Sequence, residues 1–138
     1  MGSYLYSQFY RRDGSVYYAL NLPEDVLPSQ SYPLFAALAN VRNDWGVPQV
    51  APLRAIPEDL GGPCFPPGSN GGTESYVTLE ELLTYDWFGP MWEQRRQCLG
   101  EPDGLPLHAF THHFREVTMP AMAAFGDPAE IFMAFGID

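Results

Sequence analysis

The sequence predicts an α+β fold: a small, mainly antiparallel sheet, made of an N-terminal hairpin and a C-terminal strand, packed against three to four short helices, with a long Pro/Gly-rich loop between them. Three observations predict it. Residues 3–20 set two aromatic runs on either side of an Asp-Gly pair, the signature of a hairpin. Thr78 and Glu81 form a capping box at the head of a leucine-rich run. The segment EIFMAFGID at 130–138 is too continuously apolar for a half-exposed strand and reads as one buried on both faces.

In the first strand Tyr4, Tyr6, Gln8 and Tyr10 share one face, and Leu5, Ser7 and Phe9 the other, so the sheet has one side rich in aromatic hydroxyls. A loop with two prolines follows, from Asn21 to Gln30. Ser31 caps a short helix with Pro33 in its first turn, and Leu34, Phe35, Leu38 and Val41 supply one buried face. From Asp44 to Thr73 the chain is dense in Pro and Gly and holds no periodic run, the kind of long loop that tends to serve function. Ser75, Tyr76 and Val77 form a short strand before the capped helix, whose stripe is Leu79, Leu82 and Leu83. Another helix is expected over PMWEQRRQCL, with Pro90 at its start and Gly100 at its end. After the turn at 101–104, Leu107, Phe110, Phe114 and Val117 repeat as in an amphipathic helix, which Pro120 kinks or restarts.

At 138 residues the chain is read as a single domain, 1–138, able to bury roughly 65–70% of its unfolded surface. With 46% apolar and 14% aromatic residues, wholesale disorder is excluded. No run approaches the ~18 apolar residues of a membrane span, and the N-terminus lacks the features of a signal peptide, so a soluble cytoplasmic protein is expected. Seventeen acidic residues face seven arginines and no lysine, a net charge of −10 that argues against a direct nucleic-acid partner. Cys64 and Cys98, 34 residues apart and outside any zinc spacing, are expected to be buried free thiols.

Four segments, Leu34 to Asn43, Pro57 to Leu60, Val77 to Trp87 and Gly126 to Asp138, together resemble a family of small, uncharacterised bacterial and phage proteins. In that family an LFAxLANVRN helix, a proline-rich loop with a PxDL-type turn, an LTLxELLxYDW helix and a C-terminal GxPxxVxxxFGFD strand occur in this order. The family's N-terminus commonly reads MGCDIH, whereas this chain has Ser3-Tyr4-Leu5-Tyr6 after its initial Met-Gly. Any thiol, carboxylate or imidazole chemistry at that strand is therefore lost here, and this departure favours a binding role that tolerates tyrosine over catalysis at that strand.

The candidate site residues are Tyr4, Tyr6, Asn40, Arg42, Asn43, Trp45, Asp86 and Trp87. Arg42 offers a planar fork for phosphate or carboxylate, the asparagines offer amides, and Trp45 a stacking surface. Against that stands a purely structural use, in which Arg42 and the asparagines complete the free carbonyls at the helix end and the aromatics pack. His108 and His112 are four apart, a spacing that zinc uses, but the HExxH glutamate and a further ligand are missing. Adjacent acidic pairs such as Glu24-Asp25 and Glu58-Asp59 read as solvated. No catalytic set and no cofactor site is legible.

The leading expectation is thus a non-enzymatic phage or mobile-element accessory protein that binds a small polar, nucleotide-derived ligand and sequesters a host defence signal. The alternatives are an acidic protein–protein inhibitor or adaptor of a host defence protein, and a metal-dependent hydrolase at His108 and His112. An exposed strand edge makes a homodimer a further expected partner.

Overall fold

The structure is a computed structural model that describes residues 3–60, 73–96 and 104–138. Cys64, Cys98 and the middle of the Pro/Gly loop, on which expectations were placed above, lie outside the described residues. The α+β architecture is as expected. Strand β1 (Leu5–Asp13) turns at Gly14 (φ +62°) into β2 (Val16–Leu20), and both precede helix α1 (Tyr32–Ala39). Strand β3 (Thr73–Thr78) leads directly into α2 (Leu79–Thr84). Two residue pairs, β4 (Arg95–Arg96) and β5 (Leu105–Pro106), form a small ribbon, and β6 (Ile131–Ile137) completes the main sheet.

That sheet has the order β2-β1-β6-β3, antiparallel throughout. β6 is therefore central, and all seven of its residues are buried. Inward-facing Met133 and Phe135 join Leu5, Phe9, Leu34, Phe35 and Leu82 in the main core. On the opposite face Phe132 and Ala134 cluster with Tyr10, and Ile56 and Leu60 of the Pro/Gly loop pack over them. The described end of that loop, which includes a 3₁₀ turn at Glu58–Leu60, so serves to cover the sheet.

Ser31 caps α1 as expected, accepting from the Leu34 amide, while its hydroxyl donates to the Phe110 carbonyl. The helix differs from expectation in two respects. It is buried all round from Pro33 to Ala39, and it ends at Ala39, before Val41. Asn40 terminates it in the left-handed region (φ +58°), which asparagine tolerates better than most residues.

The capping box on α2 is complete: Thr78 Oγ1 accepts the Glu81 amide and Glu81 Oε1 accepts the Thr78 amide. Leu79 and Leu82 are buried, but Leu83 is 52% exposed, a correction to the predicted stripe, because a helix of six residues has room for one inward row only. Glu81 also holds Arg54, whose Nε donates to the Tyr76 carbonyl on the outer edge of β3 and whose guanidinium lies 4.1 Å from the Tyr76 ring centre. The outward carbonyl of Tyr76 is thereby taken on this edge.

Burial pushes the Glu81 carboxyl upward, but the Arg54 and Thr78 hydrogen bonds outweigh it and its pKa lies below the ordinary 4.5. A depressed carboxyl contributes stability that is full above pH 4.5 and fades as pH falls through the folded-state value. Glu81→Gln is expected to be less stable than the unaltered protein at pH 7, with the gap closing by pH 3; urea titrations at both pH values test this, and an equal gap would refute it.

Of the helix expected over residues 90–99, the described part, residues 90–96, takes another form. A 3₁₀ turn, Pro90–Glu93, gives way to β4, since Arg95 and Leu107 tie the chain across the ribbon through the Gly104 and Gln94 carbonyls. The final helix runs without interruption from a 3₁₀ turn (Leu107–Thr111) through a π turn (Phe114–Thr118) into α3 (Met119–Ala123). The widened turn lets the Met119 amide reach the Phe114 carbonyl and admits Pro120, which has no amide to give.

Candidate functional site

β2 is the shorter arm of the hairpin. It pairs with Phe9 to Asp13 only, so residues 5–8 of β1 have no strand on that side. β2 stops because Asn21, Leu22 and Pro23 turn the chain away, and Pro23 brings no amide to a ladder. The chain then passes through a 3₁₀ turn, Glu24–Val26, and returns along the open side of β1. Two bonds from the final helix pin this returning segment: Thr118 Oγ1 donates to the Val26 carbonyl (2.8 Å), and His113 Nε2 lies 2.8 Å from the Leu27 carbonyl, which fixes Nε2 as the protonated nitrogen.

Between the segment and β1 lies a groove of about 580 Å³, lined on one wall by Tyr4, Tyr6 and Gln8 and on the other by Glu24, Asp25 and Gln30. A smaller cleft of about 340 Å³ shares Ser7, Gln8 and Leu27 with it and continues along β1 towards Leu22. The Tyr4 and Tyr6 rings stand 4.8 Å apart, and Gln8 Oε1 accepts from the Tyr10 hydroxyl. At one end Gln30 closes on β1 with both amide atoms: Oε1 accepts the Leu5 amide (2.7 Å) and Nε2 donates to the Leu5 carbonyl (2.9 Å). Among the described residues lining the groove there is no arginine, and Glu24 and Asp25 are exposed, so its field is negative.

Tyr4 and Tyr6 are the two expected site residues that line the groove. Arg42, in the left-handed region at φ +52°, donates from Nε to the hydroxyl of Ser3, next to Tyr4, and lies 5.2 Å from the Tyr32 ring centre. Asn43 accepts the Val47 amide and donates to the Val47 carbonyl and to Asn40 Oδ1, so both side-chain amides organise the turn that follows α1. The free carbonyls at the end of α1 are met instead by the Val50 amide, at Ala37, and by Gln49 Nε2, at Leu38. Trp45 is half-buried against the core, and its carbonyl accepts from Gln94.

Asp86 accepts the Phe88 amide within its own turn. Trp87 is a core residue, 5% exposed, with Nε1 donating to the Leu82 carbonyl and its ring against Trp92 and Phe114. Tyr85 belongs to the same cluster: its hydroxyl accepts from Trp92 Nε1 and donates to the Pro48 carbonyl, and burial, with the nearby Asp86 charge, pushes the phenol above its usual value.

His108 sits in the 3₁₀ turn with its ring 5.0 Å from Phe88, whereas His112 is exposed. A 3₁₀ turn has three residues per turn, so positions four apart leave the common face that an α-helix would give them. Among the described residues no group of three His, Cys, Asp or Glu is placed to hold a metal ion. None of the described helices is long and apolar enough to cross a membrane.

Gln8, Glu24, Asp25, Gln30 and His113 are groove residues that sequence reasoning missed. Glu24-Asp25 read as a solvated pair, and the returning loop carried no signal that it would lie along β1. Comparison with family models, with curated proteins and with solved structures finds nothing that matches this chain.

Proposed function

We propose that this chain is a binding protein for a small polar ligand held in the groove between β1 and residues 24–30. The observation that supports this reading is the groove itself: aromatic hydroxyls, amides and two carboxylates converge on one concavity of suitable volume beside a strand left unpaired. Its charge narrows the ligand. A phosphate would meet Glu24 and Asp25 without a groove arginine, so the nucleotide-derived ligand expected from the arginine and aromatic inventory gives way to one that is cationic or neutral and rich in hydrogen-bonding groups.

The resemblance to phage and bacterial proteins supplies the biological setting of the proposal, an accessory protein that sequesters a small signal of host defence. Native mass spectrometry of protein recovered from its natural source, followed by denaturation and analysis of what is released, tests the reading. A stoichiometric small molecule carrying positive charge or none is expected. Recovery of the chain bound to a host protein instead would overturn the reading in favour of an inhibitor that acts through its acidic surface.

A further inference from the structure

In an antiparallel pair, every second residue turns its amide and carbonyl to the same side. The Asp138 amide bonds the Tyr4 carbonyl, so Tyr4, Tyr6 and Gln8 direct their backbone towards β6, and Leu5, Ser7 and Phe9 direct theirs the other way. Phe9 faces Leu20 of β2. Leu5 is met by the two amide atoms of Gln30. Ser7 lies between them, and among the described residues neither its amide nor its carbonyl has a partner; both point into the groove.

The Gln30 side chain reproduces one peptide unit of a neighbouring strand, accepting an N–H and donating to a C=O of the same residue. It therefore marks a place where a strand fits, and it holds that place with a residue that is itself exposed.

Resting on the reading of the groove as a ligand site, we infer that its ligand is a short, extended peptide segment bearing Lys or Arg, which adds to the sheet beside β1. Its backbone pairs with Ser7 and displaces Gln30 from Leu5, the mode of recognition that exposed strand edges permit. Its cationic side chains meet Glu24 and Asp25 across the groove. A second copy of this chain is the poorer occupant, since two molecules of net charge −10 would bring these carboxylates together.

The test is a titration of the full chain, labelled with ¹⁵N, with an acetylated and amidated pentapeptide of alternating valine and lysine. The same peptide with N-methyl groups on its pairing edge, and lysine amide alone, serve as comparisons. The pentapeptide is expected to shift the Ser7 amide and the Gln30 side-chain NH₂ and to slow exchange at Ser7. N-methylation is expected to weaken binding about tenfold. Gln30→Ala is expected to tighten binding, because it removes the internal competitor, and Ser7→Pro to abolish it while the thermal transition stays cooperative.

Equal affinity for the N-methylated peptide, or groove shifts with lysine amide but none with the pentapeptide, would overturn strand addition and leave the groove as a ligand site. Shifts confined to residues away from the groove with every probe would overturn both. Concentration-dependent shifts at Ser7 without any probe would assign the edge to self-association and overturn the peptide as its occupant.

Discussion

Trp92→Ala is expected to remove about 3–5 kcal/mol of stability, a large part of the ~5–15 kcal/mol that holds a domain of this kind folded. Trp92 is fully buried, the largest such side chain among the described residues, and it stands on a turn of only four residues. Its ring meets Tyr85 edge-on at 6.1 Å and Trp87 at 5.7 Å, so its loss opens a cavity that these two aromatics cannot close without leaving their hydrogen bonds to the Pro48 and Leu82 carbonyls. Trp92→Phe keeps most of the volume and removes the donor to the Tyr85 hydroxyl, a bond for which about 1 kcal/mol is expected, so its loss should be well short of that of Trp92→Ala. Urea titrations of the two variants separate packing from hydrogen bonding. A Trp92→Ala protein within 1 kcal/mol of the unaltered one would show that the cluster is not the centre of stability described here.

The second large effect concerns β6. On a strand with one solvated face, an aspartate at one of two adjacent positions is tolerated, because one of the two points to water. Met133 and Ala134 are neighbours that point to opposite sides, and both are fully buried. Met133→Asp and Ala134→Asp are each expected to abolish cooperative folding, since a buried carboxylate without a partner costs several kcal/mol. Thermal unfolding followed by near-ultraviolet circular dichroism is the measurement. If Ala134→Asp melts within a few degrees of the unaltered protein, the outer face of the sheet is more open than its cover by Ile56 and Leu60 implies.

What was legible in the sequence was what is encoded locally. The Asp-Gly turn, the Ser31 and Thr78 caps and the apolar run of β6 each depend on residues within a few positions of one another. Residues 90–96 misled because Pro90 and a following polar–apolar mixture suit a helix start, while the bonds that redirect the chain come from Gly104 and Leu107, beyond the segment. The site was illegible for the same reason on a larger scale. Its walls are set by how far β2 runs along β1, by Gln30 reaching Leu5 across 25 residues, and by Thr118 reaching Val26 across 92. Arg42, Asn43 and Trp87 drew attention by residue type. Asn43 and Trp87 prove to hold their own turns and core, because a side chain that can recognise a ligand can satisfy a neighbouring backbone group equally well.

The central place of β6 also sets an order of events in time. Arg11 and Ile131 are paired in the sheet although 120 residues separate them. At roughly 5–20 residues per second, a ribosome needs about 6–24 s to travel that distance. Throughout this interval the newly made hairpin has its β6-facing edge bare, and a tyrosine-rich strand in that state is exposed to pairing with other nascent chains. Arg11, Arg12 and Asp13, at the end of that strand, place charges there that discourage such pairing. The dependence of the sheet on a late strand makes the cell's handling of the unfinished chain, as much as its final packing, a determinant of how much protein accumulates.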